Sequence, residues 1–274
     1  MTRARDGLIV VKAGGELLET PGRAETLARA ISPLTSDAPL VIVHGGGREI
    51  DAECARRGLV KAAVDGLRIT DAATLDAVVS ALAGTINTRL VSALVLAGLR
   101  AVGLTGADAA SVRVRPAQPY RAADGRLVDL GLVGEPIPTQ PPALVGDLVR
   151  LGYVPVVACL GTDSAGRLYN VNADTLAAHV ATSCHAKRLL VAGGTPGVLD
   201  RDGAPIASLT LAAAEALMAD GTASAGMVAK LTACCQAVRA GVADVRIVLG
   251  TGAGPIDRAP GTRIIGPELA PPED

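Results

Sequence analysis

Five short runs of consecutive apolar residues punctuate the chain, at residues 8–12, 40–43, 153–158, 189–191 and 245–249. Each lacks the polar alternation of a half-buried strand, so each reads as a strand buried on both faces. Between the runs the apolar period changes to that of a helix. One helical pattern follows Gly14-Gly15 and passes through Leu27 and Ile31. A second covers about residues 49–57, a third presents Leu176, Ala177, Val180, Ala181 and Cys184, and a fourth presents Met227, Leu231, Cys234 and Val238. Buried strands alternating with helices predict an α/β fold, a three-layer α/β/α sandwich around a central, mostly parallel sheet. Residues 112–114 and 127–133 read as short strands joined by Pro116, Pro119 and Asp124-Gly125, a hairpin-rich insertion of the kind that forms lids or interfaces. No repeat of about 20 to 50 residues is visible, and the proline-rich tail from residue 260 is too short for a domain. The expectation is one domain, residues 1–274, with an N-terminal lobe over 1–179 and a C-terminal lobe over 180–274.

Composition narrows the partners. At 274 residues and 49% hydrophobic, the chain can bury an ample core, and a net charge of −1 gives no general attraction to nucleic acid or anionic lipid. The absence of Phe and Trp, with only three Tyr, leaves almost nothing on which bases could stack. Charged residues interrupt the apolar runs short of the roughly 18 residues that cross a bilayer, and Asp6 interrupts any N-terminal signal, so a cytoplasmic protein without membrane or nucleic-acid partners is expected. The five cysteines are odd in number and form no CxxC pair, which fits reduced core residues. Only four of the 26 basic residues are lysines: Lys12, Lys61, Lys187 and Lys230. Where lysine persists against so strong an arginine preference, a compact ammonium is needed.

In open parallel sheets, ligands gather beyond the carboxyl ends of the strands. Lys12 ends the first strand there, although such a lysine can also simply reach solvent. His44-Gly45-Gly46-Gly47 ends the next strand, where amide N–H groups could close on an oxyanion, or the run could be an ordinary tight turn. Neither a GxxxxGK[ST] nor a GxGxxG motif after a strand is present. In the stretch Asn170 to Asp174, Asn172 is the expected N-cap. Asp174 falls in the first helical turn, which suits an acid whether or not it has a function. Lys230 stands near the positive end of its helix dipole, a mildly unfavourable place that a role in binding anions would explain. His44 should support its loop, and His179 and His185 should be structural.

Taken in order, Val11-Lys12-Ala13-Gly14-Gly15, Val43-His44-Gly45-Gly46-Gly47, Gly66-Leu67-Arg68-Ile69-Thr70, Leu82-Ala83-Gly84, Asn170 to Asp174, Gly226-Met227-Val228-Ala229-Lys230 and Gly261-Thr262-Arg263-Ile264 resemble the amino-acid kinase family over about residues 8–265. The resemblance is nearest to the branch that phosphorylates the γ-carboxylate of N-acetyl-L-glutamate with ATP, the second step of arginine biosynthesis. It implies that Lys12 and Lys230 stabilise the transferring phosphoryl group and that Asp174 orients them. Gly46 and Gly47 would offer backbone N–H groups to the substrate, with Gly45 beside them in the substrate-binding loop, and Arg68 with Asn170 would hold its α-carboxylate. Gly14, Gly15, Gly194 and Ser224 would meet the nucleotide. Mg2+ would be held mainly by the nucleotide phosphates, with no metal site of the protein's own. The acid-binding N-terminal lobe would also make a homodimer. Because the first strand begins at Leu8 with no helix before it, insensitivity to arginine is expected.

The chemistry suits the residues. A γ-carboxylate of ordinary pKa, about 4.3, is already ionised, so no general base is required. The obstacle is repulsion between anions, and each positive charge about 4 Å away is worth roughly 4 kcal/mol at an effective dielectric of about 20. Two departures bear on the nucleotide. Where the family usually carries Thr-Asp or Ser-Asp before Val-Pro-Gly, this chain reads Ala192-Gly193-Gly194-Thr195-Pro196-Gly197, and Ala225 replaces the usual glycine before Gly226. Those departures leave open a non-catalytic ligand-binding protein. A kinase of carrier-linked aminoadipate or glutamate is a further alternative, against which the third loop glycine, Gly47, speaks.

Overall fold

The computed structural model describes residues 7–223 and 225–266. Ser224 and the tail from residue 267 lie outside the described residues.

The apolar runs become the middle of one eight-stranded sheet, ordered Ser208–Thr210, Gly261–Ile265, Asp244–Leu249, Arg188–Gly193, Ile9–Ala13, Leu40–His44, Val154–Ala158, Ala101–Thr105. The six strands from Asp244–Leu249 to Ala101–Thr105 pair in parallel. Gly261–Ile265 is antiparallel to its neighbour, and Ser208–Thr210 follows it in parallel. Every residue of Ile9–Ala13, Leu40–His44 and Val154–Ala158 is buried, which requires cover on both faces and explains their unbroken apolar sequence. Helices Ala173–Ser183 and Ala225–Arg239 pack on each other and on the strands around Ile9–Ala13 and Arg188–Gly193. Helices Pro21–Ile31 and Asn87–Leu96 form another packed pair, the latter against Val154–Ala158 and Ala101–Thr105.

Helix starts are fixed by capping side chains. Thr20 accepts the Arg23 N–H at 3.3 Å ahead of Pro21, Asp71 accepts that of Thr74 at 2.7 Å, and Asn172 accepts those of Asp174 and Thr175 at 2.9 and 3.1 Å. Asn172 is therefore the cap its sequence position indicated. Of the cysteines, Cys54, Cys159, Cys234 and Cys235 are buried and Cys184 is half-buried, and all five are free thiols.

The insertion forms a second, four-stranded sheet of Leu160–Thr162, Leu168–Val171, Val133–Pro136 and Val114–Pro116, with a hairpin of Tyr120–Arg121 and Leu127–Val128 beside it. The stretch expected as one strand over 127–133 is broken at Gly131, whose φ of 69° turns the chain against Thr70.

Residues Ala72–Leu96 run as a single helical rod with a π-helical middle, Ser80–Ile86; its most apolar 18 residues average a hydropathy of 1.5, so by length and composition alone it could cross a bilayer, a test that a core helix also passes. Asp76 and Arg89 interrupt the apolar run without lowering its average below that of a spanning helix. Here the rod is a core helix, in which Asn87 donates from its side chain to the Val156 carbonyl at 2.9 Å.

The order of strands places the site. From the central strand Ile9–Ala13 the chain moves to one side, to Leu40–His44, and only later to the other, to Arg188–Gly193. This reversal opens a crevice beyond the strand ends, and the loops after all three strands line it.

Candidate functional site

Lys12 and Asp174 form the buried centre of the crevice. The Lys12 Nζ lies 2.9 Å from Asp174 Oδ1, and the two side chains are only 6% and 8% exposed. Register puts Lys12 near the end of the central strand, and the Asn172 cap starts the helix that carries Asp174 directly over it. Burial works to lower the Lys12 pKa, but the charge and hydrogen bond of Asp174, followed by the charge of Glu16, outweigh it and hold the pKa above the ordinary lysine value. The ammonium is thus fixed in place and permanently charged.

The two glycine loops meet back to back beside this pair. A Cβ on Gly15 would lie 2.9 Å from the Gly46 Cα and from the Gly47 nitrogen, and one on Gly46 would overlap Ile86 of the π-helical turn. Only glycine permits this approach. Gly46 is the N-cap and Gly47 the first residue of helix Gly47–Arg56, so their N–H groups belong to the helix end that has no internal acceptors. Below the loop, His44 is fully buried, its ring within hydrogen-bonding reach of the Asn87 side chain (3.0 Å) and the Gly45 carbonyl (3.2 Å). Burial lowers its pKa to about 4, so it supports the loop as a neutral ring. Cys159 donates to the His44 carbonyl at 2.8 Å, and burial pushes its thiol pKa far up, which removes it as a nucleophile.

A cavity of about 460 Å³ opens here, lined by Lys12, Gly45, Gly46, Gly47, Arg68, Asn170, Asp174 and Lys230. Its size suits a small organic ligand. Arg68 is pinned by Asp51, which also accepts from Lys61 at 2.8 Å, and Arg68 donates to the Gly47 carbonyl at 3.3 Å. Its other terminal nitrogen, Nη1, is buried without a hydrogen-bond partner, the condition of a donor built to meet an anion. Asn170 is steadied by Thr70, to which its Nδ2 donates at 3.3 Å.

On the other side of the glycine loops lies a larger cavity of about 980 Å³, lined by Gly15, Glu16, Gly47, Gly194, Thr195, Gly226, Lys230 and Gly250 among others. Lys230 and Gly47 border both cavities, so the two are continuous at the point where a group could pass between them. Lys230 stands in the second turn of its helix and donates back to the Gly226 carbonyl at 3.3 Å. Gly14 is buried behind the loop, donating to the Ala192 carbonyl at 3.0 Å.

The sequence-derived residues Lys12, Gly45, Gly46, Gly47, Arg68, Asn170, Asp174 and Lys230 therefore converge on one cavity, and Gly15 and Gly194 on the adjoining one. Glu16 escaped sequence reading. Its Oε1 accepts the Gly194 N–H at 3.0 Å, across 178 residues, which places a carboxylate against the Gly193-Gly194 segment. Its place directly after Gly14-Gly15 was the available signal. Asp51, the partner of Arg68, was also missed, lying one turn into an amphipathic helix where an acid is unremarkable.

Fold and site together define a phosphoryl-transfer crevice of α/β type, and the chain belongs to the amino acid kinase family, whose model matches residues 7–249. Curated relatives include the acetylglutamate kinase of Acidiphilium cryptum, 41% identical over 91% of this chain and 85% of the relative. That of Bradyrhizobium sp. strain ORS 278 is 42% identical over 89% and 84%. Among solved structures, N-acetylglutamate synthase from Neisseria gonorrhoeae, complexed with coenzyme A and N-acetyl-glutamate, superposes with a TM-score of 0.79 at 25% identity. The match covers 95% of this chain and 59% of the synthase, which has further chain outside it. Carbamate kinase from Giardia shares the fold at 16% identity, with a TM-score of 0.69 over 95% of this chain and 99% of that one.

Proposed function

We propose that this chain transfers the γ-phosphoryl group of ATP to the γ-carboxylate of N-acetyl-L-glutamate, the second step of arginine biosynthesis. The observation that carries the reading is the buried Lys12–Asp174 pair, facing a cavity that also presents the unpartnered Nη1 of Arg68. The curated relatives named acetylglutamate kinase support the choice of acid.

Arg68, steadied by Asp51, and Asn170 hold the α-carboxylate, which leaves the γ-carboxylate directed at the glycine loop. The Gly46 and Gly47 N–H groups take the charge of the phosphoryl oxygens as it grows. Lys12, fixed by Asp174, and Lys230, reaching in from its helix, compensate the negative charge that the two reactants share. A carboxylate oxygen forms the new P–O bond, and the bond to the leaving diphosphate breaks with its electron pair. The acid enters ionised, so no proton moves, consistent with a site whose nearest histidine is buried and neutral. Mg2+ carried mainly by the nucleotide phosphates would neutralise charge there. Gly15, Gly194 and Ser224 are proposed for the nucleotide side, whereas Gly14, buried with its N–H on the Ala192 carbonyl and lining neither cavity, serves the turn behind it.

The reading includes a cytoplasmic homodimer with an acid-binding lobe over 1–179 and a nucleotide lobe over 180–274. Helix Ala173–Ser183 spans the division. Exposed Val95 and Leu96 beside the edge strand Ala101–Thr105 offer apolar surface for the dimer.

Trapping the acyl phosphate with hydroxylamine, with ATP and in turn N-acetylglutamate, free glutamate and aminoadipate, tests the assignment. A hydroxamate is expected with the first acid. Product with none of the three, or a preference for either of the others, overturns it.

A further inference from the structure

The larger cavity has an unexpected occupant for a polyphosphate site. Glu16 is the one acidic side chain among the described residues that line it, beside three cations, Arg23, Arg48 and Lys230, and the Gly194 amide. Glycines surround the carboxylate. A Cβ on Gly14 would come within 2.5 to 2.7 Å of its carboxyl atoms, and one on Gly194 would lie 3.5 Å from its Cγ. A Cβ on Gly193 would stand 3.2 Å from Glu16 Oε1 and 3.6 Å from the Lys230 Cε, which puts the acid and the lysine beside the same stretch of backbone. The carboxylate is held by the Gly194 N–H at 3.0 Å.

A free nucleoside triphosphate, carrying up to four negative charges, is repelled by a carboxylate so placed. A nucleotide that carries a divalent cation is attracted by it, because phosphate oxygens plus one protein carboxylate are a ligand set that Mg2+ accepts while keeping several waters. The same side chain therefore acts with opposite sign on the two forms.

We propose that Glu16 makes this site selective for the metal-loaded nucleotide, opposing the free polyphosphate and offering the cation a carboxylate oxygen, directly or through water. The proposal rests on the nucleotide reading given above. Without Glu16, the site would accept free nucleotide through Lys230, Arg23, Arg48 and the glycine N–H groups.

Titration calorimetry of the full chain with ADP and with a non-hydrolysable ATP analogue, in excess Mg2+ and in EDTA, measures the selectivity without turnover. Glu16→Gln retains an oxygen for the Gly194 N–H but loses the charge. It is expected to bind free nucleotide on the order of tenfold more tightly, between the effect of one unit charge in water and that at a protein surface, and to bind the Mg2+ form no better than wild type. The ratio of the two affinities should shrink accordingly. Glu16→Asp keeps the charge and should retain most of the ratio. Asp147→Asn, an equal charge change at an exposed residue of helix Ala143–Arg150 that lines neither cavity, should leave it untouched. A wild-type ratio in Glu16→Gln overturns the proposal, as does an equal loss of both affinities, which would make Glu16 a brace for Gly194 and nothing more. Absence of nucleotide binding in wild type overturns it too and takes the nucleotide reading with it. Hydroxamate formation with an unchanged ratio would leave the kinase reading standing alone.

Discussion

Lys12 and Lys230 bring the same charge to one crevice by opposite means. Lys12 is 5% exposed, rises from a strand buried along its whole length and is locked to Asp174 at 2.9 Å. Lys230 is half-buried, and among the described residues its Nζ donates only to the Gly226 carbonyl of its own helix. The contrast extends to their surroundings. On the acid side Arg68, Asp51, Lys61, Asn170, Thr70, His44 and Asn87 hold one another before any ligand arrives. On the nucleotide side Glu19 holds Arg23 and Arg48 at the cavity wall, at 2.5 and 2.7 Å, and Glu16 reaches the Gly194 N–H, but among the described residues no acid holds Lys230. A site that binds a small anion gains by preorganising the groups that recognise it, since ordering long side chains on binding costs affinity. A site that admits a bulky nucleotide and releases its product gains by leaving the opposing lysine free to move.

The largest effect should come from breaking the locked half. Lys12→Ala removes a charge from the transition state and strands Asp174 in a buried position. Turnover in the hydroxylamine assay should fall by about a thousandfold or more, and urea unfolding should show a loss of about 3 to 5 kcal/mol. Wild-type turnover would remove Lys12 from the reaction, and wild-type stability would mean that Asp174 needs no partner. Lys230→Ala should lower kcat by about a hundredfold or more, yet shift stability by no more than about 0.5 kcal/mol. Equal destabilisation by the two substitutions would erase the comparison.

The same difference explains what could be read from sequence. Lys12, Asp174 and the loop from His44 to Gly47 were legible because strand ends, an N-cap and a glycine run are local signals. Strand existence was legible for the five apolar runs. The edge strands Ala101–Thr105 and Ser208–Thr210 were not, because edges carry no continuous apolar signature, nor was the antiparallel Gly261–Ile265, whose buried and half-buried positions alternate. Glu16 was missed because its meaning depends on Gly194, which the fold brings up from 178 residues away. The departure at Gly193-Gly194, which sequence could only mark as an absence, is the place where that carboxylate arrives.

A smaller effect should separate recognition from chemistry on the acid side. Arg68→Ala should raise KM for the acid by about ten- to a hundredfold, the scale of a lost charged hydrogen bond, with kcat changed far less. An unchanged KM would place the α-carboxylate elsewhere. The smallest effect concerns the support beneath the loop. His44 is held neutral with a pKa of about 4, below its ordinary value near 6.5, because burial penalises its charged form. The unfolded chain takes up this proton more readily than the folded one, so acid favours unfolding. The stabilising share of a neutral His44 is complete above about pH 6.5 and is lost progressively as the pH falls toward about 4. Between about pH 6.5 and about pH 5.5 the loss from this one group should be about 1 kcal/mol. Urea midpoints of wild type and His44→Gln across that window measure it, the variant losing less by about this amount. Parallel slopes would mean that His44 is charged in the fold or open to water, and that the acid-side loop rests on a softer base than its buried hydrogen bonds indicate.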